Sequence, residues 1–163
     1  MGFRADLVEV WVFRVPRPNQ LELLLIRRAP DRIFPGLWQC VSGGVDSDES
    51  IPLAALREVE EETGLGASEV EAFYDLDQVE HYYWPERNEL VSSAIFAVRC
   101  GPEATPRLSA EHDDFRWAEP AEALELAVWP AYDESIRRIR GRLLDTAHAR
   151  WFEVDLHGRR LAR

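Results

Sequence analysis

The sequence contains no lysine, because all nineteen of its basic residues are arginine. This absence excludes a lysine Schiff base, a lysine nucleophile and the lysine of a P-loop. Cysteine is scarce as well: Cys40 and Cys100 lie in separate apolar stretches, and their spacing matches no metal-binding pair. We therefore expect two buried free thiols in a protein from a reducing compartment.

Long apolar runs are also missing, and no segment reaches the length of about 20 residues that a membrane-spanning helix needs. The N-terminus lacks the basic start, apolar run and cleavage site of a secretory signal. A formal net charge of -11 disfavours a protein that coats nucleic acid or an anionic membrane. We expect a cytoplasmic protein with no nucleic-acid and no membrane partner; its oligomeric state stays open, with a homodimer as one option.

The elements that are present predict one α/β domain over residues 1–163, since 46% of the chain is hydrophobic. Apolar alternation predicts strands over residues 5–15, 21–28, 37–42, 69–83, 88–100 and 115–117. Helical periodicity predicts helices over residues 50–63, 120–127 and 130–147. The C-terminal tail is interpreted as a further strand or a loose end. This order of elements is typical of a mixed sheet flanked by helices.

The helix over residues 50–63 contains the stretch REVEEETG, in which four of eight residues are glutamate. A helical wheel predicts a buried apolar side and an opposite acidic side, formed respectively by Leu53, Leu56 and Val59 and by Glu58, Glu61 and Glu62. The wheel places Ala54 and Ala55 on the acidic side, where their small side chains would leave room for a loop or a ligand.

The acidic side is energetically costly for an isolated helix. Like charges four residues apart, such as Glu58 and Glu62, repel each other, and both lie near the helix C-terminus, where the helix dipole disfavours negative charge. A solvated acidic face is the simpler interpretation of a charge run in general. A hard divalent cation explains this one better, because Mg²⁺ prefers oxygen ligands.

From Gly43 the chain reads GGVDSDESIPLAALREVEEETGL, which resembles the Nudix box, Gly-x5-Glu-x7-Arg-Glu-U-x-Glu-Glu-x-Gly-U with U aliphatic. The fixed positions are matched by Gly43, Glu49, Arg57, Glu58, Val59, Glu61, Glu62, Gly64 and Leu65. The resemblance to this MutT-like family implies an α/β/α sandwich that hydrolyses a nucleoside diphosphate linked to another group. The segments LWQCVSGGVDSDES and LSAEHDDFRW are similar to those of dihydroneopterin triphosphate and dATP pyrophosphohydrolases.

The resemblance also implies a metal centre. Glu58 and Glu62 are the ligands expected for Mg²⁺, for which Mn²⁺ is a substitute. Glu61 would be a third ligand or the general base, and the backbone carbonyl of Gly43 would lie near the metal. The implied reaction is attack of water on phosphorus.

Three more residues complete the catalytic set that the resemblance implies. Arg57 would pair with Glu49 and orient Glu58, although a purely structural ion pair is the simpler role for Glu49. Glu111 would supply a further carboxylate from a loop, as a metal ligand or base; the alternative is an ordinary exposed acid. His112 is interpreted as a neighbour of the site, because Mg²⁺ prefers oxygen ligands.

Substrate contacts are sought among arginines and aromatic residues. Arg27 and Arg28 end a predicted strand and point to opposite faces, and Arg28 is the candidate for phosphate binding, with a surface ion pair as the alternative. Trp38 and Tyr83 are the first choices for stacking on a ring, because both lie at strand edges beside loops. The full set of candidates for stacking is Phe34, Trp38, Tyr82, Tyr83, Trp84 and Trp129.

The leading hypothesis is a Mg²⁺-dependent hydrolase that cleaves a nucleoside or pterin triphosphate and releases pyrophosphate. Alternatives are hydrolysis of a dinucleoside polyphosphate, ADP-ribose or a nucleotide sugar. The stretch FPGLW suggests isopentenyl diphosphate isomerase, but the Cys-rich segment and histidine metal site of that family are missing. A non-catalytic nucleotide-sensing module is disfavoured because the costly glutamate set is intact.

Overall fold

A computed structural model describes residues 4–162 and contains one eight-stranded sheet. The strands are β1 (Leu7–Arg17), β2 (Gln20–Arg28), β3 (Trp38–Gln39), β4 (Val41–Gly44), β5 (Val70–Trp84), β6 (Glu89–Cys100), β7 (His112–Ala118) and β8 (Glu153–Val154). Their order is β3-β2-β1-β6-β5-β8, with β4 paired to β1 and β7 paired to β2. The sheet is mixed, because β1 and β6 are parallel and the other pairs are antiparallel.

Helices cover both faces of this sheet. They are α1 (Ile51–Thr63), α2 (Pro120–Leu126), α3 (Ala131–Arg138), a π-helical segment (Ile139–Leu143) and α4 (Thr146–Ala149). Helix α1 packs on one face and the remaining helical segments pack on the other, each over its own apolar cluster. The expected α/β/α sandwich is therefore confirmed.

Strand β1 shows how alternation builds the two layers. Val8 and Val10 face the α1 layer, whereas Trp11 and Phe13 face the opposite layer, and all four are fully buried. Glu9 lies on the same face of β1 as Trp11 and Phe13 and is the charged residue among them. The apolar alternation predicted for this strand is thus present, apart from one position.

The strand predicted over residues 37–42 is two short strands. Strand β3 pairs with β2, whereas β4 pairs with the N-terminal half of β1, so the chain changes partner at Cys40. The change of partner places Gly43 and Gly44 beside the start of β1, immediately before the loop that leads into α1.

The helix predicted over residues 130–147 is interrupted. It continues from α3 into the π-helical segment, which contains Gly141, and α4 begins separately where the Asp145 carboxylate accepts a hydrogen bond from the Ala147 N–H at 2.9 Å. Glycine weakens a helix interior, and aspartate favours a new N-terminus. The tail adds the short edge strand β8 beside β5.

The two cysteines lie in the interior of the fold. Cys40 and Cys100 are both buried free thiols, as predicted. Among the helices of residues 4–162, none has the length and apolar character needed to span a bilayer.

Candidate active site

Helix α1 begins and ends where the sequence predicts. The Ser50 hydroxyl accepts a hydrogen bond from the Leu53 N–H at 3.4 Å, and Pro52 occupies the first turn. Gly64 ends the helix in the left-handed conformation, with φ of 68°, and its N–H donates to the Glu60 carbonyl at 2.8 Å. These two ends fix which side of the helix faces the sheet.

The prediction of which side of α1 is buried is wrong. Leu53 is 42% exposed, whereas Ala54 and Ala55 are fully buried and Glu62 is only 4% exposed. Val59 is buried as expected. The small alanine side chains let the helix backbone approach the sheet closely, so the same side of the helix brings Glu62 into the interface and not into solvent.

Gly43 provides the space for a second carboxylate. The Glu58 side chain fills the position where a β-carbon of residue 43 would lie, so any other residue there would collide with it. Gly43 pairs with Val8 in the sheet, which prevents the strand from moving aside. By contrast, a β-carbon at Gly44 would meet no atom within 4 Å.

Arg57 connects the acidic residues of the helix to the preceding loop. Its Nε and Nη2 donate to the two carboxylate oxygens of Glu49, each at 2.8 Å, so the pairing expected from the sequence is present. Its Nη1 donates to Glu58 at 2.6 Å and to Glu61 at 3.2 Å, and its Nη2 also donates to the Gly44 carbonyl at 2.9 Å. The Arg57 guanidinium holds the pKa of Glu49 below its usual range.

Glu62 lies in an environment that penalises its charge. The Ser42 N–H donates to its carboxylate at 3.3 Å, but burial, followed by repulsion from Glu58, raises the pKa of Glu62 to about 8. Burial also raises the pKa of Glu58, although Arg57 opposes that shift. Without a cation beside it, the Glu62 carboxyl group therefore retains its proton at neutral pH.

Glu58 and Glu62 are the two predicted metal ligands that the structure places near each other beside Gly43. Within residues 4–162, no group of three His, Cys, Asp or Glu side chains lies close enough together to hold a metal ion. Glu61, expected to converge with the other two, is bound by Arg57 and its side chain is 59% exposed. Mg²⁺ commonly keeps several waters and binds through one or two carboxylates and substrate phosphates, which Glu58 and Glu62 beside Gly43 can accommodate.

Glu111 and Arg28 lie at the rim of this cluster. Arg28 Nη1 is 3.5 Å from the Glu111 carboxylate, and Arg28 Nε donates to the Ile33 carbonyl at 3.2 Å. The Glu111 charge contributes to the raised pKa values of both Glu58 and Glu62. The structure thus brings these two predicted site residues to the acidic face of α1.

His112 is a buried neighbour of this rim. Burial, followed by the charge of Arg28, lowers the pKa of His112 to about 4, so its imidazole is neutral at pH 7. Its Nε2 lies 3.3 Å from the Gln39 amide nitrogen, and its Nδ1 has no hydrogen-bond partner within the described residues.

The two aromatic residues predicted to stack on substrate make other contacts. Trp38 packs against the core opposite α1, with the guanidinium groups of Arg27 and Arg116 at 5.7 and 5.4 Å from its ring centroid. Tyr83 is 55% exposed, and its hydroxyl donates to the Asn88 side chain at 2.9 Å. Neither of these contacts involves the acidic cluster, so both substrate contacts remain predictions.

One polar residue near the site was missed by sequence reasoning. Glu9 is half-buried on β1 and pairs in the sheet with Ser42, whose N–H binds Glu62. The available signal was its position as the lone charged residue in the apolar stretch LVEVWVF.

Comparison with known proteins places this geometry in context. The family described as the NUDIX domain matches residues 7–139. An octanoyltransferase of Myxococcus xanthus is 39% identical over 124 residues, which cover 75% of this chain and 33% of that protein, so the chain spans about one third of that relative's length.

Two solved structures share the fold. A C. elegans Ap4A hydrolase has a TM-score of 0.70 at 20% identity, over 85% of this chain and 96% of that one. The E. coli dihydroneopterin triphosphate pyrophosphohydrolase has a TM-score of 0.69 at 19% identity, over 83% and 97% of the two chains. At these identities the likeness concerns the fold alone.

Proposed function

The chain belongs to the NUDIX domain family, and we propose that it is a Mg²⁺-dependent hydrolase that cleaves a nucleoside or pterin triphosphate by attack of water on phosphorus. The observation that carries this proposal is the burial of Glu62 near the half-buried Glu58, whose carboxylate lies against Gly43. A protein core does not tolerate such a pair without compensation, and a divalent cation supplies it.

The chain's own residues have distinct roles in this reaction. Bound Mg²⁺ would neutralise the phosphate charges and lower the pKa of a coordinated water. Arg57 keeps Glu58 in place through its bond of 2.6 Å, and Glu49 in turn fixes Arg57. Glu61 and Glu111 are the two more exposed carboxylates beside the buried pair, and they are the candidates to accept the proton from water.

Arg28 is suited to contact the phosphate chain. Its side chain is 14% exposed, and the Ile33 carbonyl holds its Nε at 3.2 Å, which leaves the guanidinium at the rim of the acidic cluster. A guanidinium binds phosphate oxygens with two parallel hydrogen bonds and stabilises charge on the leaving group. Its pairing with Glu111 at 3.5 Å is loose enough for a phosphate oxygen to replace it.

The alternative substrates contain the same diphosphate unit. The two solved structures differ in the substrates named for them, and an identity of 20% or less does not choose between them. Dinucleoside polyphosphates, ADP-ribose and nucleotide sugars are therefore included in the test. A cytoplasmic location and the absence of a nucleic-acid partner remain predictions.

The test is product analysis in ¹⁸O-labelled water with Mg²⁺. The substrates are GTP, dihydroneopterin triphosphate, diadenosine tetraphosphate and ADP-ribose. We expect pyrophosphate and a monophosphate from one of the two triphosphates, with the label on a phosphorus-bound oxygen. Mg²⁺-dependent turnover of none of the four compounds would contradict the proposal, and so would label in a product that lacks phosphorus.

A further inference from the structure

We propose that Glu9 binds the hydrogen-bonding edge of the substrate's ring, and that this ring presents a ring N–H beside an amino group, as guanine and pterins do. The inference rests on the proposed function and names the non-phosphate half of the substrate. It concerns the face of the sheet opposite α1, at the end of the sheet that contains the acidic cluster.

The sheet places Glu9 close to the acidic cluster. Glu9 on β1 pairs with Ser42 on β4, and the Ser42 N–H donates to Glu62 at 3.3 Å. Paired residues on antiparallel strands lie about 5 Å apart. A ring held at Glu9 would therefore keep a phosphate chain within reach of Glu62, around the edge of β4.

Among the described residues, the neighbours of Glu9 include the acidic Glu80, the Cys40 thiol and the Ser93 hydroxyl, and no arginine is paired with Glu9. Cys40 Sγ lies 4.0 Å from the Glu9 carboxylate, and no arginine of residues 4–162 forms an ion pair with Glu9 or with its neighbour Glu80. Ser93 lies near enough to lower the pKa of Glu9, yet its hydroxyl is fully buried and makes no hydrogen bond of ordinary geometry. A ligand that fits here donates hydrogen bonds to the Glu9 carboxylate.

Burial accounts for the titration of this carboxyl group. Burial raises the pKa of Glu9 to about 7, and the charge of Glu80 adds to that shift. Two N–H donors from a ligand would stabilise the ionised form and offset part of the cost of burial.

A cavity lies at the hairpin end of a row of side chains that starts near Glu9. Strand alternation places Glu80, Tyr82 and Trp84 on one face of β5, in a row that leads from Glu9 to the hairpin tip. The cavity has a volume of about 340 Å³ and is lined by Ile33, Phe34, Trp84, Glu86 and Arg87. This volume lies within the range of small-molecule sites.

Phe34 lines this cavity and has an unfavourable backbone conformation. Its backbone has φ of 53°, which is unfavourable for a residue with a side chain, and its ring is 51% exposed. The ring meets Trp129 edge-on at 5.9 Å between centroids. Strained residues with exposed aromatic rings occur at ligand-binding sites, where the ligand covers the ring.

The chemistry of a carboxylate discriminates between rings. Glu9 offers two adjacent acceptor oxygens, which match the N1–H and 2-amino donors of guanine or a pterin. Hypoxanthine lacks the amino group and retains the ring N–H. Adenine presents one amino donor beside a ring acceptor, which an ionised carboxylate repels. A site whose acceptors lose their donor binds the ligand more weakly.

The test measures binding without a metal, by calorimetry of GMP, IMP and AMP with the wild-type protein and with Glu9→Gln. Wild type is expected to bind GMP roughly tenfold more tightly than IMP, and AMP most weakly. Glu9→Gln should reduce the preference for GMP over IMP to less than about threefold, because the amide has one acceptor oxygen. A ratio that Glu9→Gln leaves unchanged, or a wild-type preference for AMP, would overturn the inference.

The control is Glu71→Gln, which removes a carboxylate from the exposed far end of β5, where Glu71 pairs with Arg99. It should leave the GMP to IMP ratio as in wild type. Turnover of GTP and dihydroneopterin triphosphate then shows whether the ring is a guanine or a pterin. If neither is hydrolysed while the binding ratio still depends on Glu9, the proposed function fails and the ring assignment stands. If hydrolysis occurs while the ratio does not depend on Glu9, the proposed function stands and the ring assignment fails.

Discussion

Two pairs of carboxylates lie on opposite faces of the same sheet, and their surroundings differ. On α1, Arg57 donates to Glu58 at 2.6 Å, and Gly43 makes room for the Glu58 side chain near Glu62. Glu9 and Glu80 on the other face have no arginine partner among the described residues. The first arrangement suits ions and phosphates, whereas the second suits neutral hydrogen-bond donors.

The number of acidic residues does not by itself define a site. Both pairs contain a carboxyl group whose pKa burial raises, to about 8 at Glu62 and to about 7 at Glu9. What differs is the arginine that donates to Glu58 and the glycine that makes room for it.

Glu62→Gln should reduce Mg²⁺-dependent turnover by roughly a thousandfold, because it removes the buried carboxylate of the proposed metal site. The fold should remain intact, since glutamine is isosteric and the Ser42 N–H still has an oxygen acceptor. Turnover is measured with the substrate identified above, and the fold by circular dichroism. Glu60→Gln is the matched control, because Glu60 is exposed on the same helix. Activity near the wild-type value in Glu62→Gln would refute the metal assignment.

Gly43→Ala should lower turnover by about a hundredfold, because the new methyl group displaces the Glu58 carboxylate from its position against the strand. Gly44→Ala is the matched control next in sequence. A β-carbon there meets nothing within 4 Å, so kinetic constants close to wild type are expected. Equal losses in both variants would show that general distortion of the loop, and not the position of Glu58, governs activity.

The stability of the metal-free protein should fall as the pH rises. The folded-state pKa of Glu62, about 8, exceeds its ordinary value of 4.5. Protonated Glu62 therefore makes its full contribution to folding stability below pH 4.5, and this contribution is lost as the pH rises through 8. Through this group, the free energy of unfolding should fall by about 2.5 kcal/mol between pH 5 and pH 7. Denaturant titration of wild type and Glu62→Gln isolates this difference, because both retain Glu9.

The same denaturant titration is repeated with Mg²⁺. The cation should restore the stability lost at Glu62 while leaving the Glu9 contribution unchanged, because Glu9 lies on the opposite face of the sheet. If the free energy of unfolding of wild type and of Glu62→Gln had the same dependence on pH without metal, the burial of this charge would be contradicted.

Leucine truncations on α1 should have small and unequal effects. Leu56 is half-buried, so Leu56→Ala should cost about 1–2 kcal/mol, less than the value for a fully buried leucine. Leu53 is 42% exposed, and Leu53→Ala should cost below about 1 kcal/mol. Thermal unfolding measures both. A larger loss at Leu53 than at Leu56 would mean that the helix packs with the side predicted by the wheel.

The sequence was sufficient for the elements whose determinants are local. The cap at Ser50 and the left-handed Gly64 follow from residue type alone, as do the hydrophobic strands of the central sheet. The interruption after Arg138 was not predicted, because the periodicity of apolar residues does not report a π-helical segment.

The orientation of α1 could not be predicted from the wheel, for a physical reason. The wheel assumes that leucines are buried, whereas the side that packs on the sheet is decided by how closely the backbones approach. Ala55 and Gly43 permit that approach, and it brings Glu62 inside. Glu9 was missed in a similar way, because the burial of one charged residue in a strand depends on which helices cover that face.

The most direct test of the central claim is anomalous diffraction from crystals soaked in Mn²⁺, which takes the place of Mg²⁺. We predict a peak within coordination distance of the Glu58 and Glu62 carboxylates, and its loss in crystals of Glu62→Gln grown under the same conditions. Ordered carboxylates at full Mn²⁺ saturation with no peak between them would contradict the account.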